Sequence, residues 1–168
     1  MQPIRIEESK SLLFEGCFSE DMAENGWGKW EEMDSREADD PRYAHYHQIH
    51  VYPEESRAYE IRFYNGDFEY TDLFTGLAVT REEPNAAWEY MTIPLADYAV
   101  FDIDYKVDTG AQFEGVLEWL RDSDAYRQVR WNGGRRAVSN LFVICQFDHR
   151  GKWRDGNVME CWLPITGI

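Results

Sequence analysis

The chain has 168 residues, 43% of them hydrophobic and 15% aromatic, which is enough for one domain with a full core or for two small fused halves. Its 32 acidic against 17 basic side chains leave a formal net charge of -15, which opposes binding to a nucleic-acid polyanion and concentrates cationic small molecules near the surface. No apolar run is long enough for a membrane span, and the N-terminus MQPIRIEESK has no apolar signal core. Three cysteines without close spacing (Cys17, Cys145, Cys161) argue against a disulfide framework or a zinc site, and the cytoplasm is the expected compartment. By charge and by the lack of a span, neither nucleic acid nor membrane is an expected partner.

Ser11 to Phe18 predicts a first strand, with Gly16 as a candidate bulge, before Asn25-Gly26 breaks the chain. Trp27, Trp30 and Met33 at helical spacing predict a short amphipathic helix with Glu31 and Glu32 outward, ended by the polar stretch 34–41. Tyr46 to Tyr52 and Tyr59 to Tyr64 read as strands, the second with Ile61 and Phe63 inward. Asn65-Gly66 is a hairpin signal before Phe68 to Val79. Trp88 to Ile93 is a strand expected to end at Pro94.

The pattern then restarts. Tyr98 to Tyr105 alternates, with Ala99, Phe101 and Ile103 on one face and Tyr98, Val100, Asp102 and Asp104 on the other. Phe113, Val116, Leu117 and Leu120 at i, i+3, i+4 and i+7 predict an amphipathic helix, closed by Asp122-Ser123-Asp124. The arginines of 127–136 flank Asn132-Gly133-Gly134 and read as a solvated turn; Ala137 to Phe147 is a further strand. Val158 to Ile165 is the last strand, expected to stop at Pro164. Met159, Cys161, Leu163 and Ile165 share its apolar face, while Val158, Glu160 and Trp162 share the other. A carboxylate beside an indole suits a flat or cationic ligand, since both attract a cation.

Two successive runs of strand, helix and strands end in Ile93-Pro94 and Leu163-Pro164, 70 residues apart. This predicts an α+β fold: one domain over 1–168, made of duplicated strand-helix-strand-strand units at about 1–94 and 95–168. Each helix would cover one face of an antiparallel sheet, with a central ligand cleft at the junction. Other chemistry is weakly supported. His45, His47 and His50 would not converge from a strand, so no metal is expected; no phosphate loop or nucleophile elbow is visible, and no cofactor is implied.

The segments Ile93 to Phe101, Glu118-Trp119-Leu120 and Glu160 to Ile165 resemble the "IP-x-G-x-YAVF", "EWL" and "E-x-W-IPI" motifs of the GyrI-like small-molecule-binding family, the AraC-type effector-binding domain. The likeness is strong over the second half and loose over the first, through Phe68 to Val79 and Trp30. It departs at Leu95-Ala96-Asp97-Tyr98, where the family has a glycine, and in the tryptophan-rich first helix. The resemblance implies a cleft in which Glu160 meets cationic or polar ligand groups, with Trp162, Tyr98, Trp119, Tyr70 and Trp30 as aromatic walls. It implies binding of a lipophilic cation without chemistry and without a DNA-binding segment. Two alternatives come with it: a hydrolase of cyclopropane-bearing electrophiles using Glu160, and an inhibitor of a nucleic-acid enzyme acting by protein contact.

Overall fold

The computed structural model describes residues 1–18, 49–51, 57–64, 70–83, 88–129, 142–148 and 158–168. Within them lie β1 (Arg5–Phe18), β2 (Arg57–Tyr64), β3 (Tyr70–Val79), β4 (Glu89–Asp104), α1 (Thr109–Arg121), β5 (Tyr126–Gln128), β6 (Phe142–Asp148) and β7 (Val158–Gly167). The expected helix around Trp30 lies outside the described residues. So does most of the expected strand Tyr46–Tyr52, of which His50 makes an isolated bridge to Val79.

All strand pairings are antiparallel, in the order β4-β1-β3-β2-β6-β7-β5, and β4 also pairs with β7. The ladders therefore return to their starting strand and the sheet curls until its ends join. Exchanging β1 with β4, β2 with β6 and β3 with β7 maps these six ladders onto one another.

The curl creates a concave face that meets itself. Phe14, Phe18, Tyr59, Ile61, Phe63, Phe74, Met91, Ile93, Tyr98, Val100 and Trp162 form one buried cluster there, drawn from five strands and no helix. Phe14 and Tyr59 sit 4.9 Å apart between ring centroids, and Phe18 meets Phe74 edge-on at 5.3 Å. On the convex side, α1 lays Phe113, Val116, Leu117 and Leu120 on Ala99, Phe101, Ile103, Met159, Cys161, Leu163 and Ile165. Both alternation patterns and the helical spacing thus fold as their periods predict. Each buried aliphatic or Phe side chain contributes about 1.5–3 kcal/mol before chain entropy is counted. Asp108 caps α1 by accepting from the Ala111 N–H at 3.1 Å. A third cluster, of Cys17, Ile49, Leu77, Val79 and Trp88, lies on the convex side of β1 and β3.

Several expectations need correction. Pro94 does not end a strand: β4 runs on to Asp104, and the expected boundary between halves falls inside it. The register against β1 shifts between Leu12↔Ile93 and Lys10↔Ala96, placing one extra residue of β4 at Pro94-Leu95. A bulge tolerates proline because it already lacks a ladder hydrogen bond. Pro164 likewise stays inside β7, which extends to Gly167 with β5, absent from the sequence reading, beside its end. Gly16 is not a bulge. Its register is unbroken against both neighbours, and it lies directly opposite Gly76. A Cβ on Gly16 would collide with the Thr75 carbonyl, and one on Gly76 with the Glu15 carbonyl. The two glycines let β1 and β3 approach closely.

Candidate functional site

Three adjacent strands build one patch of the concave face. Arg5 of β1 lies opposite Val100 of β4, and Val100 lies opposite Trp162 of β7, so the three share a face. Glu160, two residues before Trp162, joins them. The Arg5 guanidinium grips Glu160 with both prongs: Nη1 donates to Oε1 at 3.1 Å and Nη2 to Oε2 at 2.9 Å. Its Nε donates to Glu7 at 2.7 Å. The Trp162 indole N–H donates to Glu160 Oε2 at 2.9 Å, and the guanidinium carbon lies 5.8 Å from the Trp162 ring centroid. Tyr98 stands against the indole, centroids 5.7 Å apart.

The electrostatics follow from this packing. The Glu160 side chain is 12% exposed and that of Arg5 37%, so the carboxylate is buried while its cation reaches solvent. The hydrogen bonds to Glu160 hold the Arg5 guanidinium further above its ordinary range, against the opposing effect of desolvation. Burial pushes the Tyr98 phenol up. The patch therefore presents an anionic carboxylate, an indole face and a neutral phenol, and it already holds one planar cation. Charge-assisted bidentate pairing and contact with an aromatic face are the two ways a protein selects such a group.

Of the residues expected at the cleft, Glu160, Trp162 and Tyr98 come together. Trp119 does not join them. It lies on α1, on the convex side, edge-on to Phe101 at 5.4 Å and stacked on Tyr126 at 5.9 Å. Phe101 has the opposite phase to Tyr98 on β4, which puts the thickness of the sheet between Trp119 and Glu160. Trp119 instead lines a surface cleft of about 300 Å³, with Met1, Glu118 and Asp122 among its other walls. Tyr70 opens β3, paired with Tyr64; its side chain and all of Trp30 lie outside what the structure describes.

Arg5 and Glu7 are the participants that sequence reading missed, and a bulge hid them. In an unbroken strand they would share the phase of Leu13 and Cys17, on the convex side. The register shift between Glu7 and Lys10 reverses the phase and turns both inward. A second buried carboxylate, Glu15, serves the fold: the Tyr90 hydroxyl lies 2.5 Å from it and 2.7 Å from the Glu83 carbonyl, tying that loop to the sheet.

No family model and no curated protein matches this sequence. Solved structures do match its fold. SAV2435 bound to tetraphenylphosphonium aligns with a TM-score of 0.54 at 14% identity, over 99% of this chain and 94% of that one. A putative bacterial transcription regulation protein from Staphylococcus aureus MU50 aligns with a TM-score of 0.51 at 13% identity, over 99% and 100%. The EcmrR C-terminal domain aligns with a TM-score of 0.54 at 8% identity, over 98% and 97%. At these identities the likeness is one of fold: this chain shares the fold of SAV2435 and of the EcmrR C-terminal domain.

Proposed function

We propose that this protein binds a lipophilic, aromatic cation on its concave face, at Glu160, Trp162 and Tyr98, and does no chemistry on it. One observation carries the proposal: the buried Glu160 carboxylate is oriented by the Trp162 indole N–H and holds a planar cation against that ring. The fold supports it, because one structure sharing that fold has tetraphenylphosphonium bound. Tyr70 and Trp30 are further candidate walls, and the symmetric set of ladders supports an origin by duplication. With a net charge of -15, the domain would act without contacting nucleic acid. Both Glu160 oxygens already accept from Arg5, and one also from Trp162, which favours binding over the hydrolase alternative, where Glu160 must take a proton from water.

The test is calorimetric titration and thermal unfolding with tetraphenylphosphonium, on wild type and Glu160→Gln side by side. Wild type should bind saturably, gaining roughly 2.7 kcal/mol at 100 times the dissociation constant, and Glu160→Gln should lose most of that gain. Two proteins that respond alike, or do not respond, would sink the proposal. Turnover of a strained electrophile that Glu160→Gln abolishes would establish the hydrolase instead. Salt-sensitive capture of a protein partner, unchanged by Glu160→Gln, would favour the inhibitor alternative.

A further inference from the structure

We infer that Arg5 is a resident competitor for the ligand's charge: its guanidinium occupies the cation subsite of Glu160, and an incoming cation binds by displacing it. This rests on the proposed cation-binding role of Glu160 and adds how access to that carboxylate is controlled. It also names a second ligand class for the vacated subsite, small alkylguanidinium ions.

Three observations point the same way. First, the pairing is complete. The two Nη atoms take the two carboxylate oxygens of Glu160, and Nε takes Glu7, so all three guanidinium nitrogens are engaged where a ligand's charge would sit. A carboxylate held this way is not open to a second planar cation in the same position. Second, the competitor is placed to leave. The Arg5 side chain is three times as exposed as its buried partner, so its charge can pass into water while Glu160 stays anchored by Trp162. Third, the segment carrying Arg5 is held to the sheet on one side only among the described strands. The register shift between Glu7 and Lys10 separates Arg5–Glu7 from the rest of β1. The ladder to β3 begins only at Leu13, so among the described strands Arg5–Glu7 pairs with β4 alone. Residues 5–7 can therefore shift without breaking the β1–β3 ladder or the concave cluster around Phe14.

The experiment uses Arg5→Ala, Arg5→Gln and the double variant Arg5→Ala/Glu160→Gln, with N-ethylguanidinium and tetraphenylphosphonium as separate probes. N-ethylguanidinium at millimolar concentration should raise the melting temperature of Arg5→Ala and leave wild type and the double variant unmoved, because only Arg5→Ala removes the resident guanidinium while keeping the carboxylate it paired with. Tetraphenylphosphonium should bind Arg5→Ala and Arg5→Gln about tenfold or more tightly than wild type, the factor by which a resident competitor reduces apparent affinity when it leaves the subsite open a tenth of the time or less. In wild type, phenylglyoxal labelling of Arg5 read by mass spectrometry should rise when tetraphenylphosphonium is bound; this needs no variant to fold. Equal tetraphenylphosphonium affinity in wild type and the Arg5 variants, or Arg5 labelling that does not rise with ligand, would overturn displacement. Failure of N-ethylguanidinium to stabilise Arg5→Ala would overturn the guanidinium subsite. If tetraphenylphosphonium binds none of these proteins while N-ethylguanidinium rescues Arg5→Ala, the lipophilic-cation function fails and the subsite assignment stands.

Discussion

Among the described residues, Glu160 answers two donors of different kinds, and its substitutions should separate them. Glutamine keeps an oxygen that can accept from the Trp162 indole N–H and removes only the charge. Alanine removes both, leaving a buried N–H without its acceptor. Glu160→Ala should therefore lose about 1–3 kcal/mol in urea unfolding, and Glu160→Gln clearly less. Equal losses would mean that the ion pair with Arg5, and not the indole bond, stabilises the fold. Tyr98 makes a second prediction at this scale. It is fully buried and its phenol is pushed up, so the folded state resists an ionisation that the unfolded chain undergoes near pH 10. A raised folded-state value means the contribution is full below about pH 10 and is lost as pH rises further. The urea midpoint of wild type should fall more steeply from about pH 9 to about pH 11 than that of Tyr98→Phe, which has no proton to release there.

At the scale of the element, the close approach of β1 and β3 depends on Gly16 and Gly76 lacking side chains. Both obstructions are backbone carbonyls, which cannot swing aside as a side-chain tip can. Gly76→Ala should lose roughly 1–3 kcal/mol by forcing the strands apart. Gly167→Ala, at a position with nothing near its Cβ, is the matched control and should change little. The start of α1 is held in two ways. Asp108 caps it, and the Gln112 amide accepts from the Asp104 N–H and donates to the Asp104 carbonyl, both at 2.9 Å, which fastens the turn out of β4. Asp108→Ala should lose about 1 kcal/mol, visible as a lower urea midpoint.

For the whole molecule, the β4–β7 ladder is what turns a sheet into an enclosure. It brings residues 5 and 160, at opposite ends of the chain, to one carboxylate–guanidinium contact. The same closure concentrates negative charge, since 32 acidic and 17 basic groups are carried by one small body. Self-repulsion of that size weakens as salt shortens the screening length from ~30 Å at 0.01 M to ~8 Å at 0.15 M. The melting temperature should therefore rise with sodium chloride over that range. A fall would mean that specific pairs such as Arg5–Glu160 outweigh the net repulsion.

The sequence by itself determined which side chains travel together. A period of two sorted Met159, Cys161, Leu163 and Ile165 from Glu160 and Trp162, and Ala99, Phe101 and Ile103 from Tyr98 and Val100. A helical period picked out the four buried positions of α1, and the chemistry of a carboxylate beside an indole marked Glu160. Alternation, however, distinguishes two faces without saying which becomes concave, and it holds only while no residue is inserted. The insertions at Pro94-Leu95 and between Glu7 and Lys10 each reverse the phase, so Pro94, read as a strand end, lies within a strand and Arg5 was assigned to no site. Only the tertiary structure decided that Trp119 lies across the sheet from Glu160 and that Arg5 holds Glu160 from 155 residues away. Both depend on how strands pair across the closed sheet, and pairing is a relation between distant segments that no local period carries.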